Sequence, residues 1–191
     1  LGSYNYYANF TELGGTFGKF GYYGYYNRRQ TDGFRQANSQ WSLNEFSGTI
    51  AYGADTTART YLTFDAYNAN IHEPGGTTTN NVKNAVNYNT DYSGTSRFYD
   101  NLQLQRYAVS LIHENDINDH TFFSLRTWWS YFQRNSFRQN GGGFGTIPTG
   151  AKAKTNRIQL QEFYTFGLLP QLRYDYNFLG NTHTITGGAM L

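Results

Sequence analysis

The stretch HEPGG, residues 72–76, holds the nearest approach to a metal-ligand pair in this sequence, since His72 and Glu73 are both ligand types. Adjacent residues of an extended segment point to opposite sides, and no second histidine lies close in sequence, so Pro74-Gly75 reads as a loop turn. NGGGFG at 140–145 has the glycine density of a phosphate loop. It lacks the following Lys-Ser/Thr and the strand-to-helix setting, and reads as a flexible loop. His113, His120 and His183 fall at or near short turns, without zinc-like spacing, and read as solvated. No Ser/His/Asp set or carboxylate pair can be argued from spacing, so no enzyme chemistry and no cofactor is expected. What remains is arginine. Arg28, Arg29, Arg35, Arg97, Arg134 and Arg138 sit at expected strand ends or in loops, where guanidinium groups could hold a carboxylate-bearing anion in bidentate fashion. The plainer alternatives are solvated loop charges and contacts with anionic lipid heads.

The elements that carry these residues follow from an unusual composition. Of 191 residues, 38% are apolar and 19% aromatic, so half of the apolar content is rings. A soluble core is built mainly from Leu, Val and Ile. Mean hydropathy is −0.67, and no run approaches the roughly 18 apolar residues of a membrane helix. A transmembrane β-barrel remains open, because its strands alternate apolar and polar residues. The net charge of +2 is too balanced for a nucleic-acid binder, and the absence of cysteine removes disulfides and thiolate sites. The chain opens at Leu1, and its last residues, TGGAML, read as part of a strand; the expectation is a segment of a longer chain.

Period-2 stretches recur. In RIQLQEFYTFGLLPQLRYDYNF (157–178), Ile158, Leu160, Tyr164, Phe166, Leu168, Leu172, Tyr174, Tyr176 and Phe178 share even positions, against Arg, Gln, Asp and Asn on odd ones. TFFSLRTWWSYFQR (121–134) sets Phe123, Leu125, Trp129 and Tyr131 opposite Ser124, Arg126, Ser130 and Arg134. Short turns are expected at Gly18-Lys19, GADTT (53–57), NDINDH (115–120) and GNT (180–182). They alternate with long polar connections at 31–40, about 70–100 and 140–154, the asymmetry of an outer-membrane barrel. The expected strands are 4–16, 20–30, 41–53, 58–70, 101–114, 121–137, 156–178 and 183–191, with Leu1–Ser3 as the tail of a preceding strand. In this reading FGKFGYYGYYNRR (17–29) surrounds a tight turn, its rings lying at the lipid–water boundary.

LGSYN (1–5), GGTFGKFGY (14–22), TDGFRQANS (31–39), PGG (74–76) and LPQLRYDYNFLGNTHTITGGAML (169–191), in this order, resemble the barrel of TonB-dependent outer-membrane receptors, especially those similar to the ferric-citrate transporter. The resemblance implies an all-β, antiparallel, up-and-down transmembrane barrel of about 22 strands with a plugged lumen. Residues 1–191 would be about eight or nine of those strands, with the plug and the C-terminal strands absent. It further implies a Gram-negative outer-membrane importer of a ferric siderophore or ferric citrate, with cobalamin, another metal chelate or a glycan as alternatives. Its partners would be TonB and the inner-membrane energising complex, acting through the plug, together with outer-membrane lipid and a surface lipoprotein. Arg35, Arg97, Arg134 and Arg138 are then the residues expected to meet the chelate. Two other readings stay open: a complete barrel of eight to ten strands acting as pore or adhesin, and a soluble β-sandwich with an aromatic binding face.

Overall fold

The computed structural model describes residues 2–53, 56–79, 81, 83–141 and 145–191. Leu1, Asn80, Val82, two residues of the GADTT turn and three of NGGGFG therefore lie outside the described residues. Eight strands follow in chain order: β1 (Tyr7–Phe17), β2 (Phe20–Thr31), β3 (Trp41–Tyr52), β4 (Ala58–His72), β5 (Asn101–Asn118), β6 (Thr121–Gln139), β7 (Asn156–Phe178) and β8 (Asn181–Gly188). Each pairs antiparallel with the next in a single up-and-down sheet. Among the described residues no ladder joins β1 to β8, so the sheet is open.

The departures from expectation have local causes. β1 starts at Tyr7 because Ser3–Asn5 form a 3-10 turn in which Tyr4 and Asn5 both take positive φ. β5 runs through the polar NDINDH stretch to Asn118. Arg59 of β4 holds Glu114 (3.5 Å) and Asp116 (3.2 Å) of β5, so these acids extend the ladder instead of ending it. The last turn is Leu179-Gly180, with φ of +53° and +78°, the double positive φ of a type I′ hairpin. Regular β7–β8 pairing stops at Gln171–Gly188. Beyond it Ala189 N–H donates to the Pro170 carbonyl, and proline has no N–H to return.

The hairpins are staggered. From Thr11 to the first tight turn at Phe17 is six residues. From Tyr164, in register with Thr11 across the sheet, to the last tight turn at Phe178 is fourteen. The turns thus descend eight residues over six strand steps, about 4.4 Å along the strand for each ~4.8 Å across it. That places the strands about 40° from upright on the line of turns, the tilt of a membrane barrel.

The two faces differ sharply. On one, Leu13, Gly24, Gly48, Phe64, Val109, Trp129 and Phe166 stand in register, followed by Thr11, Tyr26, Phe46, Ala66, Tyr107, Tyr131 and Tyr164. Tyr164 is 67% exposed and Phe166 70%. A ring presents about 150–250 Å² at about 25 cal/mol per Å², so each half-exposed ring would forgo roughly 2 kcal/mol in water. Lipid removes that cost; a soluble sandwich would have to cover the face. The opposite face is mixed: Glu12, Tyr25, Ser47, Asp65, Ala108, Ser130 and Thr165 stand in register there. The buried residues lie largely elsewhere. Asn38, Ser39, Val86, Thr95, Ser96 and Asp100 are all in the long connections.

Candidate functional site: the loop cap and the inner wall

Three long connections leave the same end of the sheet, at 32–40, 73–100 and 140–155, and they pack against one another. Asn38 is their hub. It sits at φ +54°, a conformation asparagine tolerates better than most residues. Its Nδ2 donates to the carbonyls of Glu73 (3.0 Å), Arg97 (3.0 Å) and Asp100 (2.9 Å). Its Oδ1 shares a hydrogen bond with His72 Nδ1 at 2.8 Å. Around it, Thr95 Oγ1 donates to the Ala37 carbonyl (2.7 Å) and Gln36 N–H to the Ser93 carbonyl (2.8 Å). The third connection joins through Val86 N–H to Gly145 (2.9 Å) and Ile147 N–H to Asn84 (2.7 Å). Pro74-Gly75 is the turn expected, with Gly75 at φ +77°, where a Cβ would run into Ser96 Oγ.

The arginines divide by environment. Arg35 donates from Nε (2.6 Å) and Nη2 to the Gly94 carbonyl; burial lowers its pKa, and Asp91 works against that shift. Arg97 donates to the carbonyls of Ser96 (3.1 Å) and Thr146 (2.5 Å), linking the second connection to the third. Arg138 lies between Glu73 and Asp100, 3.6 Å from the latter, while its Nε donates to Ser136 Oγ at 3.0 Å. Arg134 is different. It stands exposed on the inner face of β6 and donates to Gln161 Oε1 at 3.4 Å. Arg28 points outward and Arg29 inward, as their pairing with Asn44 and Leu43 requires.

The inner wall adds groups that the sequence did not single out. Tyr23 Oη donates to Glu12 (2.8 Å) and Tyr25 Oη to Glu45 (3.1 Å). Asn27 also donates to Glu45 (3.2 Å), and Ser47 Oγ to Asp65 (2.6 Å). Arg106 shares a recess of about 300 Å³ with Tyr25, Glu45, Asp65, Tyr67 and Phe132. Its strand parity with Ser110 was the available signal. A guanidinium beside carboxylates and rings can hold a polar ligand or a protein segment bearing both charges. Among the described residues no group of three or more His, Asp or Glu could hold a metal. His72 is bonded to Asn38 and Glu73 to Arg138. Two histidines read as solvated are engaged instead: His113 Nδ1 with Thr60 Oγ1 at 2.9 Å, and the His183 ring against Tyr176 at 5.4 Å.

Tilted antiparallel strands with one ring-rich exposed face, one polar face, tight turns at one end and long connections at the other define a barrel wall. No family model matches the chain, and no curated protein matches it in sequence. Among solved structures, its fold is similar to that of the ferric citrate transporter FecA in the unliganded form. The TM-score is 0.78 at 16% identity, over 96% of this chain and 25% of that one. It is also similar to the ferric-catecholate import receptor Fiu from E. coli K12 in its open form, with a TM-score of 0.72 at 17% identity, over 98% of this chain and 32% of that one. The chain thus spans about a quarter to a third of the proteins whose fold it shares.

Proposed function

We propose that the chain is part of the barrel wall of a TonB-dependent import receptor in a Gram-negative outer membrane, carrying a ferric siderophore or ferric citrate inward. The observation that carries this reading is the fold similarity, over 96% and 98% of this chain, to a ferric citrate transporter and a ferric-catecholate import receptor. The open sheet is compatible with a larger barrel, which on the resemblance would have about 22 strands. Each unsatisfied backbone group in hydrocarbon costs several kcal/mol, so the free edges of β1 and β8 call for further strands. A plug filling the lumen would meet the inner wall and transmit force from TonB. Arg134, with Arg29 and Arg106 on the same face, offers the anionic chelate an approach from inside. Arg35, Arg97 and Arg138 serve it by ordering the cap above.

The test is uptake of iron-55 as citrate or catecholate chelates by cells carrying the whole gene. Uptake lost on deleting TonB, and reduced about tenfold by Arg134→Ala with unchanged surface expression, supports the reading. Uptake that persists without TonB refutes it.

A further inference from the structure

Gly24 and Gly48 face each other on the outer side of β2 and β3, between Leu13 of β1 and Phe64 of β4. Neither has a positive φ, so the backbone does not require glycine at either position. A Cβ on Gly48 would meet only the Phe46 ring, at 3.2 Å, and one on Gly24 would come closest to the Ser47 carbonyl, also at 3.2 Å. Both contacts are tight, yet neither lies below the 3.0 Å that would force a shift. Glycine inside a strand weakens it, and two side by side leave a gap in the ring-rich face. That gap is an apolar groove of about 470 Å³, flanked by Tyr22 and Ile50 on one side and Tyr26 and Phe46 on the other.

Directly above the groove the face turns polar. Tyr26 Oη donates to Asn44 Oδ1 at 2.8 Å, and Arg28 Nη2 donates to Gln30 Oε1 at 2.9 Å. Arg28 Nη1 also donates to Asn44 Oδ1 at 3.5 Å, and among the described residues Arg28 makes no ion pair, so its remaining N–H groups can meet a further acceptor on the outer side. Beside it Asn44, Asn68 and Asn70 continue the polar surface with uncharged amides. From Arg28 to Phe20 is eight residues, about 26 Å along the strand and roughly 19 Å of depth at a 45° tilt. One leaflet's hydrocarbon layer is about 15 Å.

We propose that this face is a fixed site for one outer-leaflet glycolipid. An acyl chain lies in the groove cut by Gly24 and Gly48, and a phosphorylated saccharide head rests on Arg28 and the neighbouring amides. The chemistry selects the head: Arg28 binds a phosphate, and amide side chains pair with sugar hydroxyls as both donors and acceptors. A phospholipid head offers the phosphate without the hydroxyls. The inference rests on the membrane-wall reading and is independent of the cargo.

The experiment is native mass spectrometry of the whole protein, folded in detergent and titrated with hexa-acylated bisphosphorylated lipid A or with phosphatidylethanolamine. A gel mobility shift on heating confirms folding of each variant. One lipid A is retained by the wild type, at least tenfold more tightly than phosphatidylethanolamine. Gly24→Leu, which fills the groove, and Arg28→Ala, which removes the phosphate contact, each weaken retention at least tenfold. Leu160→Ala, on the outer face of β7, leaves it unchanged. Equal retention by Gly24→Leu and wild type, or equal retention of the two lipids, overturns the site while the barrel reading stands. A protein that leaves membranes without detergent and retains no lipid overturns both.

Discussion

Replacing Asn38 by aspartate keeps the side-chain shape and the tolerance of φ +54° but exchanges a donating amide for an acceptor. The carbonyls of Glu73, Arg97 and Asp100 lose their partner, and a negative charge enters beside the Asp100 and Glu73 segments. The two N–H groups of the amide are shared among the three carbonyls, so at about 1 kcal/mol for each full neutral hydrogen bond the contacts amount to about 2 kcal/mol against local opening of the cap. At about 1.4 kcal/mol per decade, the open population rises roughly 30-fold. Hydrogen exchange read by mass spectrometry measures this directly. The informative amides are Gln36, Glu73 and Arg97, whose bonds to Ser93, Asp100 and Pro74 hold the connections in place. Peptides from β7 serve as the internal reference, because their ladder bonds are untouched. Asn38→Gly, which retains the backbone freedom and loses every side-chain bond, should behave like Asn38→Asp. Exchange at those three amides within threefold of wild type in both variants would refute the assignment of Asn38 as the hub.

Arg138→Ala removes the cation beside Glu73 and the buried Asp100 and should destabilise the cap by about 1–2 kcal/mol, since Arg138 and Glu73 are each about a third exposed. Adding Asp100→Asn, which keeps an acceptor for the Gln139 N–H, should recover part of that loss in the same exchange measurement. At Gly167 a Cβ would collide with the Trp128 indole, so Gly167→Ala should cost about 1–3 kcal/mol in urea titrations. In a Trp128→Ala background the same change should cost less than about 0.5 kcal/mol, since the two residues are coupled through that contact. Leu179 holds φ +53° ahead of Gly180, and Leu179→Asn should raise stability by about 1 kcal/mol by creating the favoured Asn-Gly hairpin turn.

Strand parity was legible because one face is ring-rich and the other largely polar, which enforces period 2 with few exceptions. β2, β3, β4, β6 and β7 accordingly lie within two residues of expectation. Errors gathered where that rule is silent. Asp116 reads as a turn residue until Arg59, 57 residues earlier, is placed beside it. The long connections read as flexible because glycine, asparagine and threonine dominate them, and their order depends on bonds between segments some sixty residues apart, such as Asn38 to Asp100. The arginines illustrate the same limit. Their charge is visible in sequence, and strand parity with Ser130 already put Arg134 on the polar face, but whether a guanidinium meets a carbonyl, as Arg35 does, is decided by that long-range packing.

The sheet and the cap are stabilised by different physics, and this separates their failures. Under the membrane-wall reading, exposed rings hold the sheet in place only while an apolar solvent surrounds it, and the largely amide-and-hydroxyl interior of the cap needs no such solvent. The one fully buried side chain among the described residues is Ser96, in the cap. A lesion at Asn38 or Arg138 should therefore leave the barrel's heat-shifted gel mobility intact while disordering the surface that a ligand meets first. Under the import reading, such variants would reach the membrane in normal amount and lose affinity, because a ligand would then have to supply the ordering free energy itself. A change that unfolded sheet and cap together, with Asn38 altered and the strands untouched, would contradict this division.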